Sequence, residues 1–153
     1  MTKKTPVKQE DILVKKRLKY LEVQVPVSTK IRFDSPALVY GAFKHDIDPF
    51  QEELWVVVLN PKLRIIKRFL VSKGDENSVR IRPSNIFRTV LMTGATRFMI
   101  CHSHPSGDSD PSADDNYFTE KIKEGSALLG LSFIDHVIFT DEQFYSYERE
   151  RKL

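Results

Sequence analysis

Four short apolar runs narrow most sharply what this chain can fold into. They are ELWVVVLN (53–60), RIIKRFLVS (64–72), ATRFMIC (95–101) and LSFIDHVIFT (131–140). Each is too short for a typical helix, and the first is rich in β-branched residues, the signature of a buried strand. Asn60-Pro61-Lys62 is a turn between the first two runs, so they read as a hairpin. Helical segments stand between the others. Ser35-Pro36 opens one, with serine as cap and proline in the first turn, and it runs to about His45 with Leu38, Val39 and Phe43 near helical spacing. Pro83 to Met92 carries the stripe Ile86, Phe87, Val90, Leu91 and ends near Gly94. A third helix starts after Pro111, with Ser112 as cap and Asp115 completing a capping box. It ends before Gly130, with Tyr117, Phe118, Ile122 and Leu129 as its apolar side. FYSYERERKL closes the chain as a short strand and polar tail. Strands in pairs with helices inserted predict an α+β fold, a mixed β-sheet flanked by helices in an α-β-α sandwich.

The 153 residues suit one domain with one core, and 41% hydrophobic against 29% charged residues argues against wholesale disorder. The formal charge of +3 is unevenly placed. Residues 1–20 hold seven Lys/Arg against Glu10 and Asp11, a surplus of +5 that leaves −2 for the remainder. Residues 1–16 read as a flexible basic arm, suited at most to weak contact with nucleic acid, ahead of a domain at 17–153. Within that domain, KYLEVQVPV (19–27) alternates as a strand. The slightly acidic body argues against a broad phosphate-binding face. A single cysteine, Cys101, excludes an internal disulfide. No apolar run approaches the roughly 20 residues of a membrane span, and MTKKTPVKQED lacks the apolar centre of a signal peptide. The expected setting is the cytoplasm, away from the membrane.

CHSHPSGDSDPSADD (101–115) is a poor recipe for a core. In a strand, residues two apart share a face, so His102 and His104 aim their imidazoles together while Cys101 and Ser103 face the other way. Pro105 and Gly107 turn the chain, and the start of the next helix can bring a carboxylate back. Asp108, Asp110, Asp114 and Asp115 are the candidates. The first turn of a helix favours a fixed negative charge, which leaves Asp114 or Asp115. Two imidazoles and one carboxylate, with one position left for water, suit a hydrolytic zinc site. A polar loop with two exposed histidines and an ordinary helix cap is the alternative. Asp135-His136 suits either a supporting or a purely structural part, His45 a helix end, and Cys101, Trp55 and the phenylalanines the core.

His102-Ser103-His104-Pro105, six residues, then Ser112-Ala113-Asp114-Asp115 resembles the JAMM motif of the JAB/MPN-plus metallopeptidases, His-x-His-Pro-x6-Ser-x-x-Asp, at every fixed position. With Asp135-His136 after an apolar helix and strand, HSHPSGDSDPS is similar more narrowly to the RadC branch, over residues 31 to about 149. The resemblance implies a JAB/MPN-like, cytidine-deaminase-like sandwich and a zinc-dependent metallopeptidase acting on a peptide or isopeptide bond. By position it implies His102, His104 and Asp115 as zinc ligands, Ser112 as a stabiliser of the tetrahedral intermediate, and Glu52 as general base. Glu53 stays open as that base, because one residue of slip exchanges the two faces of a strand. RadC proteins also carry a DNA-repair label and a helix-hairpin-helix segment ahead of the catalytic domain; here a short basic arm stands in that place. A non-catalytic JAB/MPN interaction module is the third expectation, weakened by the intact motif. Oligomeric state is not expressed in any of these features.

Overall fold

A computed structural model describes residues 32–33, 35–74 and 81–153, so the basic arm and the strand expected at 19–27 lie outside the described residues. The elements run α1 (Pro36–Phe43), β1 (Glu52–Leu59), β2 (Ile65–Gly74), α2 (Pro83–Thr93), β3 (Arg97–Ser103), α3 (Ala113–Leu129), β4 (Ser132–Phe139) and β5 (Phe144–Ser146). The strands form one sheet in the order β2-β1-β3-β4-β5. β1 is antiparallel to both β2 and β3, and β4 to β5, whereas β3 and β4 are parallel. A parallel pair needs a long crossover, and α3 supplies it. The fold is therefore α+β with a mixed sheet, as the order of elements predicts.

Both faces of the sheet are covered. Trp55, Val57 and Leu59 of β1 pack with Met99 and Cys101 of β3 beneath Val39 and Phe43 of α1. Leu54, Val56 and Val58 pack with Phe98 and Ile100 beneath Ile86 and Val90 of α2 and Ile122 of α3. β1 is apolar on both faces because it lies between two layers. Each such side chain contributes roughly 1.5–3 kcal/mol relative to an exposed one, which is why this strand cannot sit at an edge. Helix α2 meets α3 where Gly125 lacks a side chain: a Cβ there would fall 2.6 Å from the Phe87 ring.

The helix ends follow the sequence. Ser35 caps α1, Ser112 caps α3 through a full capping box with Asp115, and Gly94 and Gly130 close α2 and α3 at φ of 71° and 68°. The apolar face expected for α3 needs correction. Tyr117 is 68% exposed and Leu129 46%, while the buried stripe is Asp115, Thr119, Ile122 and Ser126. Half of α3 faces a polar site, so its inward side is polar too. Phe50, expected in the core, is 86% exposed in the turn before β1. Among the described residues no helix is long and apolar enough to cross a membrane.

Candidate metal centre

Register decides which glutamate meets the histidines. Leu54 lies opposite His102, and both belong to the face beneath α2 and α3. Glu52, two residues before Leu54, shares that face, and its Oε1 contacts His102 Nε2. Glu53 points to the other side. Its buried carboxylate accepts a hydrogen bond from Trp55 Nε1 at 3.0 Å and pairs with Lys73 Nζ at 3.0 Å. Ser103 Oγ accepts from Glu53 N at 2.8 Å, fastening the start of β1 to the end of β3.

Strand β3 runs two residues beyond the predicted 101, so His102 is held within the sheet and His104 just past its end. His104 N still donates to Phe139 O at 2.9 Å, continuing the alignment with β4. The turn behind it uses Gly107 at φ 84°, a conformation that favours glycine. His104 Nδ1 lies 2.9 Å from the carbonyl of Asp108. A carbonyl only accepts, so Nδ1 donates, and Nε2 is the nitrogen left to face the site. That Nε2 lies 3.5 Å from Asp115 Oδ2, and His102 Nδ1 lies 3.2 Å from Asp115 Oδ1. The latter pair is close but off the line a hydrogen bond needs, so His102 Nδ1 is buried without one. Asp115 Oδ2 accepts from Ser112 N at 2.8 Å and from Ser112 Oγ at 2.7 Å, which fixes the carboxylate against the helix end.

The electrostatics are those of one ring between two anions. Burial opposes charging of His102, but Asp115 and Glu52 overcome it and its pKa is pushed up to about 9. Burial likewise opposes ionisation of Asp115, yet His102 and His104 hold its carboxyl well below the usual carboxylate range. Such a site favours positive charge, either a proton on the ring or a cation. The donor set fits a divalent ion. One ligand atom each from Glu52, His102 and His104 all lie within 4.8 Å of one another. Asp115 turns one oxygen to each ring, Oδ1 to His102 and Oδ2 to His104, so its carboxylate borders this group. His102 offers Nε2 to Glu52 and Nδ1 to Asp115. One ring gives one nitrogen to one ion, so its orientation selects which carboxylate shares that ion.

Comparison with known proteins decides the family. The family model for the RadC-like JAB domain matches residues 33–153, most of the chain and the whole of this site. The chain belongs to the RadC-like JAB domain family. UPF0758 proteins are similar to it: 35% identical over 123 residues in Carboxydothermus hydrogenoformans, covering 80% of this chain and 54% of that protein. In Thermotoga maritima the figures are 32% over 122 residues, 80% and 55%. In Flavobacterium johnsoniae they are 33% over 141 residues, 92% and 56%. The chain thus spans about half the length of these relatives.

The remaining candidates sort by burial. In this RadC-like JAB domain Asp108, Asp110 and Asp114 are exposed, and of the four aspartates only Asp115 is buried. Asp108 contributes its backbone carbonyl to His104, a contact that no side-chain pattern announces. His45 is exposed beyond α1. Cys101 is fully buried against the α1 face, and burial pushes its thiol above the usual range. Thr119 and Tyr147, unmarked in the sequence, surround His136: Thr119 Oγ1 lies 2.7 Å from His136 Nδ1, and the Tyr147 ring stacks on it at 5.0 Å.

Asp135 lies apart from the histidines, buried, accepting from Ser146 Oγ at 2.6 Å and Glu148 N at 3.0 Å. Burial raises its pKa to about 6, although those donors favour the anion. The sign follows. Between the unfolded value near 4 and the folded value near 6, the native state keeps a proton that the unfolded chain has lost. Stability from this group is therefore full below about pH 4 and is lost as pH rises through about 6, a swing of about 3 kcal/mol. Asp135→Asn has no such titration. Urea unfolding at several pH values should show wild type gaining on the variant as pH falls from 7 to 4. Parallel stability curves would refute the assignment.

Proposed function

We propose that this RadC-like JAB domain is a zinc-dependent amide hydrolase of the JAMM type, cleaving a peptide or isopeptide bond in the cytoplasm. The observation that carries this is the gathering of three groups about the His102 ring: Glu52 from β1 at its Nε2, Asp115 from the first turn of α3 at its Nδ1, and the His104 ring, just past β3, 4.7 Å away. His102, His104 and Asp115 would hold the ion. A zinc ion held there would supply Lewis acidity, which lowers the pKa of bound water to about 7. Glu52 would take a proton from the attacking water as the new C–O bond forms, and pass it to the amide nitrogen as the C–N bond breaks, giving a carboxylic acid and an amine. Ser112 Oγ donates to Asp115 Oδ2 at 2.7 Å in the resting arrangement. Redirecting that one proton to the substrate carbonyl oxygen is its share in stabilising the oxyanion. Phe50, exposed two residues before Glu52, offers apolar surface to an extended substrate.

Purified protein should retain one zinc per chain after gel filtration and cleave members of a panel of fluorogenic peptide amides and lysine isopeptides. Chelation should abolish cleavage and zinc should restore it. Folded protein that takes up no divalent metal at neutral pH would end this proposal.

A further inference from the structure

We propose that His136 is a positioning residue for the metal centre, holding the His102 ring and the Asp115 peptide in place at once. This role rests on the hydrolase reading above and extends it to a residue that touches neither ion nor substrate.

Three observations point the same way. First, a bulge aims His136 at the site. Phe98 pairs with Phe133 and Ile100 with His136, so β4 spends three residues where β3 spends two. Plain alternation from Phe133 would put residue 135 on the α3 face; the extra residue puts His136 there and sends Asp135 elsewhere. Bulges beside sites re-aim side chains in this way. Second, the His136 ring lies near-parallel to that of His102, at 6.0 Å and 18°. It is also stacked with Tyr147 at 5.0 Å and 4°. Tyr147 Oη donates to Asn116 Oδ1 at 3.0 Å, so the stack is tied to the first turn of α3.

Third, the hydrogen bonds form a directed chain. Thr119 Oγ1 lies 2.7 Å from both Asp115 O and His136 Nδ1. It has one proton, and the carbonyl can only accept, so the hydroxyl donates to Asp115 O. His136 Nδ1 must then carry a proton and donate to Oγ1. In the neutral ring this leaves Nε2 a bare lone pair, and that atom is buried with no partner among the described residues. An orphaned buried nitrogen costs stability that a phenyl ring at the same place would not. A residue serving packing alone would be better as phenylalanine; a residue that must stack on one ligand and fix the backbone of another is better as histidine.

The test compares zinc affinity, by competition with a chromophoric chelator, with the melting temperature of the zinc-free protein. His136→Phe should bind zinc about 10–100-fold more weakly, the range for groups that orient metal ligands, while its zinc-free form melts at or above the wild-type temperature. His136→Asn, whose side-chain amide can keep the bond to Thr119, should recover part of the affinity. His136→Phe binding zinc as tightly as wild type would overturn the role. If the Phe variant does not fold, Thr119→Val against Thr119→Ser carries the same comparison, and equal affinities in that pair would overturn it. Wild-type protein that binds no zinc would instead remove the hydrolase reading itself.

Discussion

Glu52→Gln should cost about 10²–10⁴-fold in amide hydrolysis, the usual worth of a placed general base, and leave zinc affinity within a few-fold of wild type. Gln has the same length and can still meet His102 Nε2, which Glu52 Oε1 contacts now. What it cannot do is take up a proton. The variant therefore separates two parts that Glu52 can play, since its carboxylate belongs to a group of ligand atoms, with His102 and His104, that lie within 4.8 Å of one another. As a base, Glu52 is lost from turnover alone. As a ligand, it would be lost from zinc binding too, by more than tenfold. The two readouts are kcat on a cleaved amide and zinc affinity by chelator competition. Both falling together would move Glu52 into the coordination shell and leave the base unassigned. Full activity in the variant would remove Glu52 from the chemistry.

Why sequence alone left Glu52 and Glu53 undivided is a matter of periodicity. Every position of β1 after Glu52 is buried, because the strand is covered on both faces. The usual polar and apolar alternation, which would have told the faces apart, is absent. Only pairing resolves them. Leu54 opposite His102 fixes the face, and the demands of Trp55 Nε1 and Lys73 explain what Glu53 does on the other side. Phe50 and Tyr117 were misplaced for other reasons. Phe50 read as core by residue type and Tyr117 as part of the apolar side of α3, but the first lies in a turn, and the second lies off the polar stripe that α3 turns inward.

The parts that were legible rest on local rules. Caps, turn residues and short β-branched runs placed all five strands and three helices of the described residues within a few positions. The JAMM spacing picked out a strand end, a turn and a helix cap, and those three are adjacent in space. The parts that were not legible depend on contacts distant in sequence. His136 reaches the α3 face through a bulge opposite β3. A bulge leaves no mark in a single strand, because it is a mismatch between two. Thr119 looks like an ordinary helical threonine until Asp115 and His136 stand on either side of its hydroxyl.

Asp115→Asn should weaken zinc binding on the order of 100-fold or more, beyond the 10–100-fold expected for outer residues, while the protein stays folded. The carboxylate has two duties that this change divides. Its Oδ2 accepts from Ser112 N and Oγ, and its own N–H donates to Ser112 Oγ at 3.1 Å, which together close the capping box. The Asn carbonyl can keep the bond from Ser112 N, so loss of cap and helix-end charge should cost only about 1 kcal/mol. The charge facing His102 and His104 is gone outright. Those imidazoles hold the Asp115 carboxyl well below its usual range against the pull of burial. It is therefore ionised at neutral pH, and its contribution fades only as pH falls below the ordinary carboxylate range. Asp115→Ala should lose zinc to the same degree and also melt earlier, because the cap goes too. Asp114→Asn is the informative neighbour, since both aspartates lie in the first turn of α3 but Asp114 is exposed. It should bind zinc as wild type does. If Asp114→Asn lost the ion and Asp115→Asn kept it, the geometry of the first turn would have to be redrawn, and with it the route by which α3 completes the site.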